Sequence, residues 1–238
     1  MDAIACLSLG NNVSVYEIFR KYLRRHSGCA EKMQKKALLE FRRIGWRSGA
    51  RRSGPAISVA VNLSPIQFDL PDLVARVDAL VDAAGVDPSR LMFEITETAA
   101  MQNIEKTSRT IERLQSRGYS VAIDDFGTGY SSLGYLQRFR FDQIKIDGSF
   151  MRDLDTGGQR GSALLSAVVT LARALQIEVV AECVETESQL RTLSELACDQ
   201  MQGFLMSRPL PAAEFLAFLR CAADRIVVTG SACATLAG

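Results

Sequence analysis

The 238-residue chain contains one histidine, His26. That scarcity excludes a histidine-based catalytic triad and any multi-histidine metal site. Six cysteines, at 6, 29, 183, 198, 221 and 233, include no C-x-x-C pair. Neither a zinc site nor a disulfide framework is indicated, and they read as small residues of a reducing compartment. No run of about 18 apolar residues occurs, so no membrane span is expected. No G-x-G-x-x-G follows a strand-like segment, which removes support for a dinucleotide-binding sheet. The first residues carry Asp2 and no basic n-region, so the expectation is a cytoplasmic chain without a signal peptide. Acid–base or metal chemistry is left to Asp, Glu, Asn, Gln and Lys.

What is present is a soluble globular composition, 47% hydrophobic and 23% charged, long enough to bury a core. The 28 basic and 27 acidic side chains are unevenly placed: residues 1–56 hold 12 and 4, residues 57–238 hold 16 and 23. The basic N-terminal stretch has few interleaved aromatics and no nucleic-acid motif. It reads as a solvated helical face, not as a DNA or RNA surface.

From residue 57 short apolar runs alternate with longer amphipathic segments. The runs are "ISVAV" (57–61), "LMFEI" (91–95), "YSVAI" (119–123), "FDQIKI" (141–146), "IEVVA" (177–181) and a weaker "QMQGFLM" (200–206). Their length and β-branched content suit buried strands. Helices are expected over 70–85, closed by Gly85, and over 103–118, opened by Asn103. Further helices are expected over 162–176, apolar on most faces and so read as well buried, over 186–199 from Thr186, and over 212–223. No linker interrupts the pattern, so it forms one domain, and such alternation makes a parallel sheet with helical crossovers.

The strand ends choose between an open sheet and a barrel. Asn62, Glu94 with Glu97, Asp124 with Asp125, Lys145 with Asp147, Glu182 with Glu185, and Gln202 stand at or just beyond the ends of six successive strands. Any one of them alone reads as a helix cap. Six in succession point to the carboxyl rim of an α/β barrel, where such enzymes carry their sites. Carboxylates gathered on one rim repel unless cations neutralise them, and oxygen-only donors suit Mg²⁺ or Mn²⁺. Adjacent Asp124 and Asp125 fit a two-metal phosphoester hydrolase, with Lys145 meeting phosphate or a nucleophilic water. A magnesium-dependent lyase barrel of the enolase type is the competing reading.

The strings "VNLSPIQF", "FEITET", "DDFGTGYSSLGYL", "QIKIDGSF", "VVAECVET" and "MQGFLMSRPLP" are collinear over about residues 55–220 and resemble the EAL family of cyclic di-GMP phosphodiesterases. The resemblance implies a (β/α)8 barrel of TIM type whose first strand runs against the others. It implies Mg²⁺- or Mn²⁺-dependent hydrolysis of cyclic di-GMP to linear pGpG, and pairing of two copies into a homodimer. Carried over by position, Asn62, Glu94 and Asp124 resemble ligands of a first metal, with Asp124 bridging to a second. Asp125 resembles the second metal's ligand. Glu182 resembles a metal ligand or water activator, and Lys145 the group that positions that water. Asp147 completes K-x-D, Gln202 and Glu185 flank the site, and Glu97 resembles the anchor of the glycine-rich loop.

Two departures stand out. The Glu-Ala-Leu signature is absent from residues 1–56: the nearest string, "KALLEF", has Lys36 in the glutamate's place and lies in a helix-like segment, 31–46. Glu17 is the substitute the sequence offers. Cys183 replaces the glycine of the family's E-G-V-E string. The chain therefore divides into an atypical basic segment (1–55), an EAL-type barrel (56–222) and a loose tail (223–238). The two missing strands must come from "AIACLSL" (3–9) and "VSVYEIF" (13–19), or the barrel is incomplete. A missing ligand predicts impaired turnover. An inactive domain that binds cyclic di-GMP or a protein is the alternative.

Overall fold

The computed structural model describes residues 4–8, 12–16, 56–128, 133–155, 159–208 and Glu214. Glu17, the 31–46 segment with Lys36, the 212–223 helix and the C-terminal tail lie outside this set, apart from Glu214 within that helix. Eight strands form a closed ring in chain order: β1 (Ile4–Ser8), β2 (Asn12–Tyr16), β3 (Ala56–Asn62), β4 (Leu91–Thr96), β5 (Ser120–Phe126), β6 (Gln143–Ile146), β7 (Glu178–Ala181) and β8 (Gln200–Gln202). β1 runs antiparallel to both its neighbours, β2 and β8. Every other pair is parallel. The two short N-terminal segments are thus both strands, and the ring closes through them.

The helices are α1 (Pro65–Phe68), α2 (Leu73–Ala84), α3 (Glu97–Met101), α4 (Ile104–Gln115), α5 (Leu133–Leu136), α6 (Ser149–Asp155), α7 (Gln159–Ala174) and α8 (Glu187–Glu195). Their ends follow local chemistry. Asn103 accepts from the Lys106 amide at 3.0 Å and caps α4. Thr186 and Gln189 form a capping box on α8, and Ser64 and Gln67 another on α1. Gly85 ends α2 in the left-handed region at φ 64°. Arg173 donates to the Leu196 and Ala197 carbonyls at 3.4 and 2.7 Å, satisfying the end of α8.

Strand alternation sorts the core into two parts. Outward side chains such as Val61, Phe93, Ile95, Val121, Ile123, Ile144 and Val179 meet Val77 and Val81 of α2, Ile111 and Leu114 of α4, and Leu165 and Val169 of α7 in one large cluster. Inward side chains Ala60, Met92 and Val180 form a separate small cluster in the lumen. Below it, at the amino ends of the strands, Glu178 accepts from Gln200 at 2.9 Å and from Gln143 at 3.4 Å.

Two expectations need correction. The 162–176 helix is not buried all round: Leu165, Val168, Val169 and Ala172 face the barrel, but Ala163, Leu164, Ala167, Thr170 and Ala174 are exposed. A spacing of three and four buries one stripe however apolar the rest is. The strand over 200–206 stops at Gln202, because Gly203 lies so close to Val184 that a Cβ would meet its carbonyl oxygen at 2.0 Å. The chain turns there.

Two aspartates brace the strand starts. Asp142 accepts from the Val121 amide at 2.7 Å and from Gln115 at 3.0 Å, and Asp199 accepts from the Val179 amide at 2.9 Å. Each aspartate immediately precedes a strand and fills the ladder of its neighbour. Asp142→Ala is expected to lower unfolding free energy by about 1–3 kcal/mol, the cost of stranding the Val121 N–H. Urea denaturation measures it, and a change near zero would show that water replaces the carboxylate.

Candidate active site

The upper layer of the lumen holds the polar residues of the strand ends. Their placement is set by register. Asn62 lies directly opposite Glu94, and Lys145 opposite Val180. With a side-chain period of two, Asn62, Glu94, Asp124, Lys145, Glu182 and Gln202 all face inward at the same end.

At the centre is the Lys145 ammonium. Its Nζ lies 2.9 Å from Glu94 Oε1, 3.2 Å from Asp124 Oδ1 and 2.7 Å from Glu182 Oε1. All four side chains are at most 3% exposed. Asn62 Nδ2 donates to the other oxygen of Glu94, Oε2, at 3.0 Å. Among the described residues, Glu94 Oε1 and Asp124 Oδ1 meet Lys145 and no further hydrogen-bond donor.

The electrostatics follow from burial and from an excess of negative charge. Burial, the largest influence, pushes the Glu94 carboxyl up from 4.5 to about 8, and the Asp124 and Glu182 charges push the same way, against the pull of Lys145. Burial alone would lower Lys145, but Glu94, Glu182 and Asp124 together hold its ammonium well above the ordinary value. Glu94 therefore retains its proton above the ordinary carboxyl range.

Asp125 joins the group through a break in the strand. Ile123 pairs with Ile144 and Phe126 with Ile146, so Asp124 and Asp125 together oppose Lys145. This is a β-bulge, with Asp125 in the left-handed region at φ 55°. Without it, successive side chains would point to opposite faces. With it, ligand atoms of Asp124, Asp125 and Glu182 lie within 4.8 Å of one another. These are oxygen donors, largely buried, in a set that fits a hard divalent cation.

The other candidate residues surround this group. Glu97, buried at the start of α3, accepts from the Gly127 amide at 3.0 Å, tying down the first turn after β5. Gly127 has φ 94°, and a Cβ there would meet the Phe150 ring at 2.5 Å. Residues 129–132 of that loop lie outside the described set. Asp147 accepts from the Ser149 amide at 2.9 Å, where α6 begins. Gln202 is buried in β8, its amide oxygen meeting no donor among the described residues. Glu185 is exposed, and its backbone N–H donates to Gln189 at 2.7 Å.

Cys183 has φ 59°, a conformation that suits glycine, and its side chain is exposed. It lies over Gly148, where an added Cβ would meet its Sγ at 2.6 Å. Sequence reasoning missed this contact and the lower Gln143–Glu178–Gln200 layer. The layer's signal was available: each of the three lies two or four residues before an inward residue of the site.

A family model described as EAL domain matches residues 26–209. The cyclic di-GMP phosphodiesterase NbdA of Pseudomonas aeruginosa is 44% identical over 164 residues, covering 69% of this chain and 21% of that protein. A structure of the Pseudomonas aeruginosa MucR phosphodiesterase in complex with c-di-GMP superposes with a TM-score of 0.74 at 32% identity, covering 90% of this chain and 92% of the other. The EAL domain of Mycobacterium smegmatis DcpA gives 0.77 at 32%, covering 93% and 96%. The chain spans about a fifth of the length of the curated relatives it first matches, between 20% and 23%.

Two outcomes are expected. Glu94 binds its proton more tightly folded than unfolded, so stability of the metal-free protein should fall as pH rises from 4.5 to about 8 and then level. The slope is at most about 1.4 kcal/mol per pH unit. Glu94→Gln should flatten it in urea melts across that range, and an unchanged slope would assign the titration elsewhere. Gly148→Ala should destabilise the protein, and Cys183→Gly should relieve most of that cost, with a coupling of about 1 kcal/mol or more. Additive effects of the two substitutions would mean that the loops part freely.

Proposed function

The chain belongs to the EAL domain family, and we propose on that premise that it hydrolyses one phosphodiester bond of cyclic di-GMP, yielding linear pGpG with Mg²⁺ or Mn²⁺. The observation that carries this reading is the convergence of Glu94, Asp124 and Glu182 from three strands on one point inside the barrel mouth. The substrate comes from relatives: NbdA is named for cleaving cyclic di-GMP, and MucR is seen bound to it.

In this reading Asn62, Glu94, Asp124, Asp125 and Glu182 are the residues that would hold the divalent ions. Bound divalent ions in such a site supply positive charge to the phosphate and acidify water. The chain's own residues do the rest. The lumen walls exclude bulk water, which strengthens every charge interaction at the mouth. Lys145 serves the entering water or the phosphate, and Glu182 takes the proton. Water's oxygen bonds to phosphorus as one ribose oxygen leaves and takes up a proton, matching the one given to Glu182, so the ring opens without a redox partner. Glu97 fixes the turn beside Asp125, while Gln202, Asp147 and Glu185 border the ligand.

Incubation of the purified chain with cyclic di-GMP and Mn²⁺, followed by chromatography, should yield pGpG. Asp124→Ala should lower the rate by at least about a hundredfold, the scale for removing a group that stabilises transition-state charge. Saturable nucleotide binding without pGpG would replace this reading with that of a binding module.

A further inference from the structure

We propose that Gly148 and Cys183 are a pair of positioning residues for Glu182: their contact sets the loop after β7 against the loop after β6, and with it the place of the Glu182 carboxylate. This rests on the reading above, in which Glu182 serves a divalent metal. Glu182 is the first residue after β7, and its Oε1 lies 2.7 Å from Lys145 of β6. Its backbone N–H donates to the Ile146 carbonyl at 3.1 Å, so the two loops start side by side. Cys183 follows at once, at φ 59°. A Cβ on Gly148 would lie 2.6 Å from its Sγ and 2.7 Å from its Cβ. The second distance decides the matter: a thiol can rotate aside, but a Cβ moves only with its backbone. The ring places β7 between β6 and β8, and the β8 side is equally tight. There a Cβ on Gly203 would meet the Val184 carbonyl oxygen at 2.0 Å and the Val184 nitrogen at 2.3 Å. Val184 also donates to the Gln202 carbonyl and accepts from the Leu205 amide, both at 3.0 Å. Residues 182–184 are held from both sides.

The site has little room for error beside this contact. Ligand atoms of Asp124, Asp125 and Glu182 lie within 4.8 Å of one another, and Glu182 is the member that the 182–184 segment carries. Ordinary contact with a Cβ begins at 3.4 Å, so a methyl on residue 148 demands 3.4 less 2.7, or about 0.7 Å, of separation between the loops. One rigid peptide unit joins Cys183 to Glu182, so the carboxylate shares in that movement. A displacement of about 1 Å in a reacting or ligating group can cost about a hundredfold in rate. The contact has room for one side chain: Cys183 supplies the bulk and Gly148 the space. Moving the bulk to residue 148 and the space to residue 183 should keep the loops where they are.

Three variants test this: Gly148→Ala crowds the contact, Cys183→Gly empties it, and the double variant moves the bulk across. Electron paramagnetic resonance titration gives the Kd for Mn²⁺, and pGpG release gives kcat and KM. Gly148→Ala should raise the Kd and lower kcat by about tenfold or more, the scale for losing a group that orients a metal ligand. Cys183→Gly should move both the same way by about threefold or more, with KM for cyclic di-GMP nearly unchanged in each. The double variant should return Kd and kcat to within about twofold of the unsubstituted chain. A merely structural contact would cost stability and leave the Kd of the folded protein where it was. If Gly148→Ala does not fold, Cys183→Gly and the double variant decide. An unchanged Kd in either folded single variant, or a double variant that regains stability without regaining Mn²⁺ affinity, overturns the proposal and leaves the metal reading intact. Absence of Mn²⁺ binding by the unsubstituted chain overturns both.

Discussion

A closed ring of strands sends every second side chain into one lumen from which solvent has no lateral access. The rest of the molecule depends on how that lumen is filled. Ala60, Met92 and Val180 make a dry middle layer. Beneath them the amide nitrogens of Gln143 and Gln200 donate to the Glu178 carboxylate. Above them charge is concentrated, and buried charges must compensate locally. Three carboxylates around Lys145 do so incompletely, and burial, helped by the neighbouring negative charges, keeps a proton on Glu94 well above the ordinary carboxyl range. The incompleteness is functional chemistry held in place by the fold. An oxygen cage with surplus negative charge is under standing pressure to take a cation.

The pair Asp124–Asp125 shows what that concentration demands of the backbone. Adjacent residues on a regular strand cannot share a face. The bulge solves this by setting two residues against one partner, and it places Asp125 at φ 55°. Aspartate tolerates the left-handed region better than most side chains, since its short carboxylate can bond locally. The strain sits where the site needs a second carboxylate, and the next residues are held: Thr128 donates to the Asp125 carbonyl at 2.8 Å, and Gly127 to Glu97. Backbone distortion and ligand geometry are here one feature.

Much of this was legible in the sequence because it repeats. Outward β-branched residues mark each strand, and a polar residue marks each strand end, so barrel and rim can be read together. Gly85, Asn103 and Thr186 announce their helix boundaries for local reasons. What was not legible depends on contacts far apart in the chain. α1, α3, α5 and α6 are too short to show a helical period. The exposed stripe of α7 has the same composition as its buried one, so only the packing of residues 165, 168, 169 and 172 tells them apart. The contact of Cys183 with Gly148 has no trace in either local string. That Lys145 faces three carboxylates, not a loop, follows from register, which no single run of residues encodes.

The divergence at the N-terminus becomes intelligible on the same terms. The family match begins at residue 26, after β1 and β2 have ended. Closing a barrel asks those strands for backbone donors and acceptors in register, and most side chains can supply that. Holding a metal asks for particular oxygens at particular places. A segment can therefore lose its family signature and still close the ring, whereas the cage has no such freedom. Asn62, Glu94, Asp124 and Lys145 lie on β3, β4, β5 and β6, and Glu182 directly follows β7. The ring's tolerance is spent at β1 and β2, whereas Glu94, Asp124 and Glu182 reach Lys145 from β4, β5 and the end of β7.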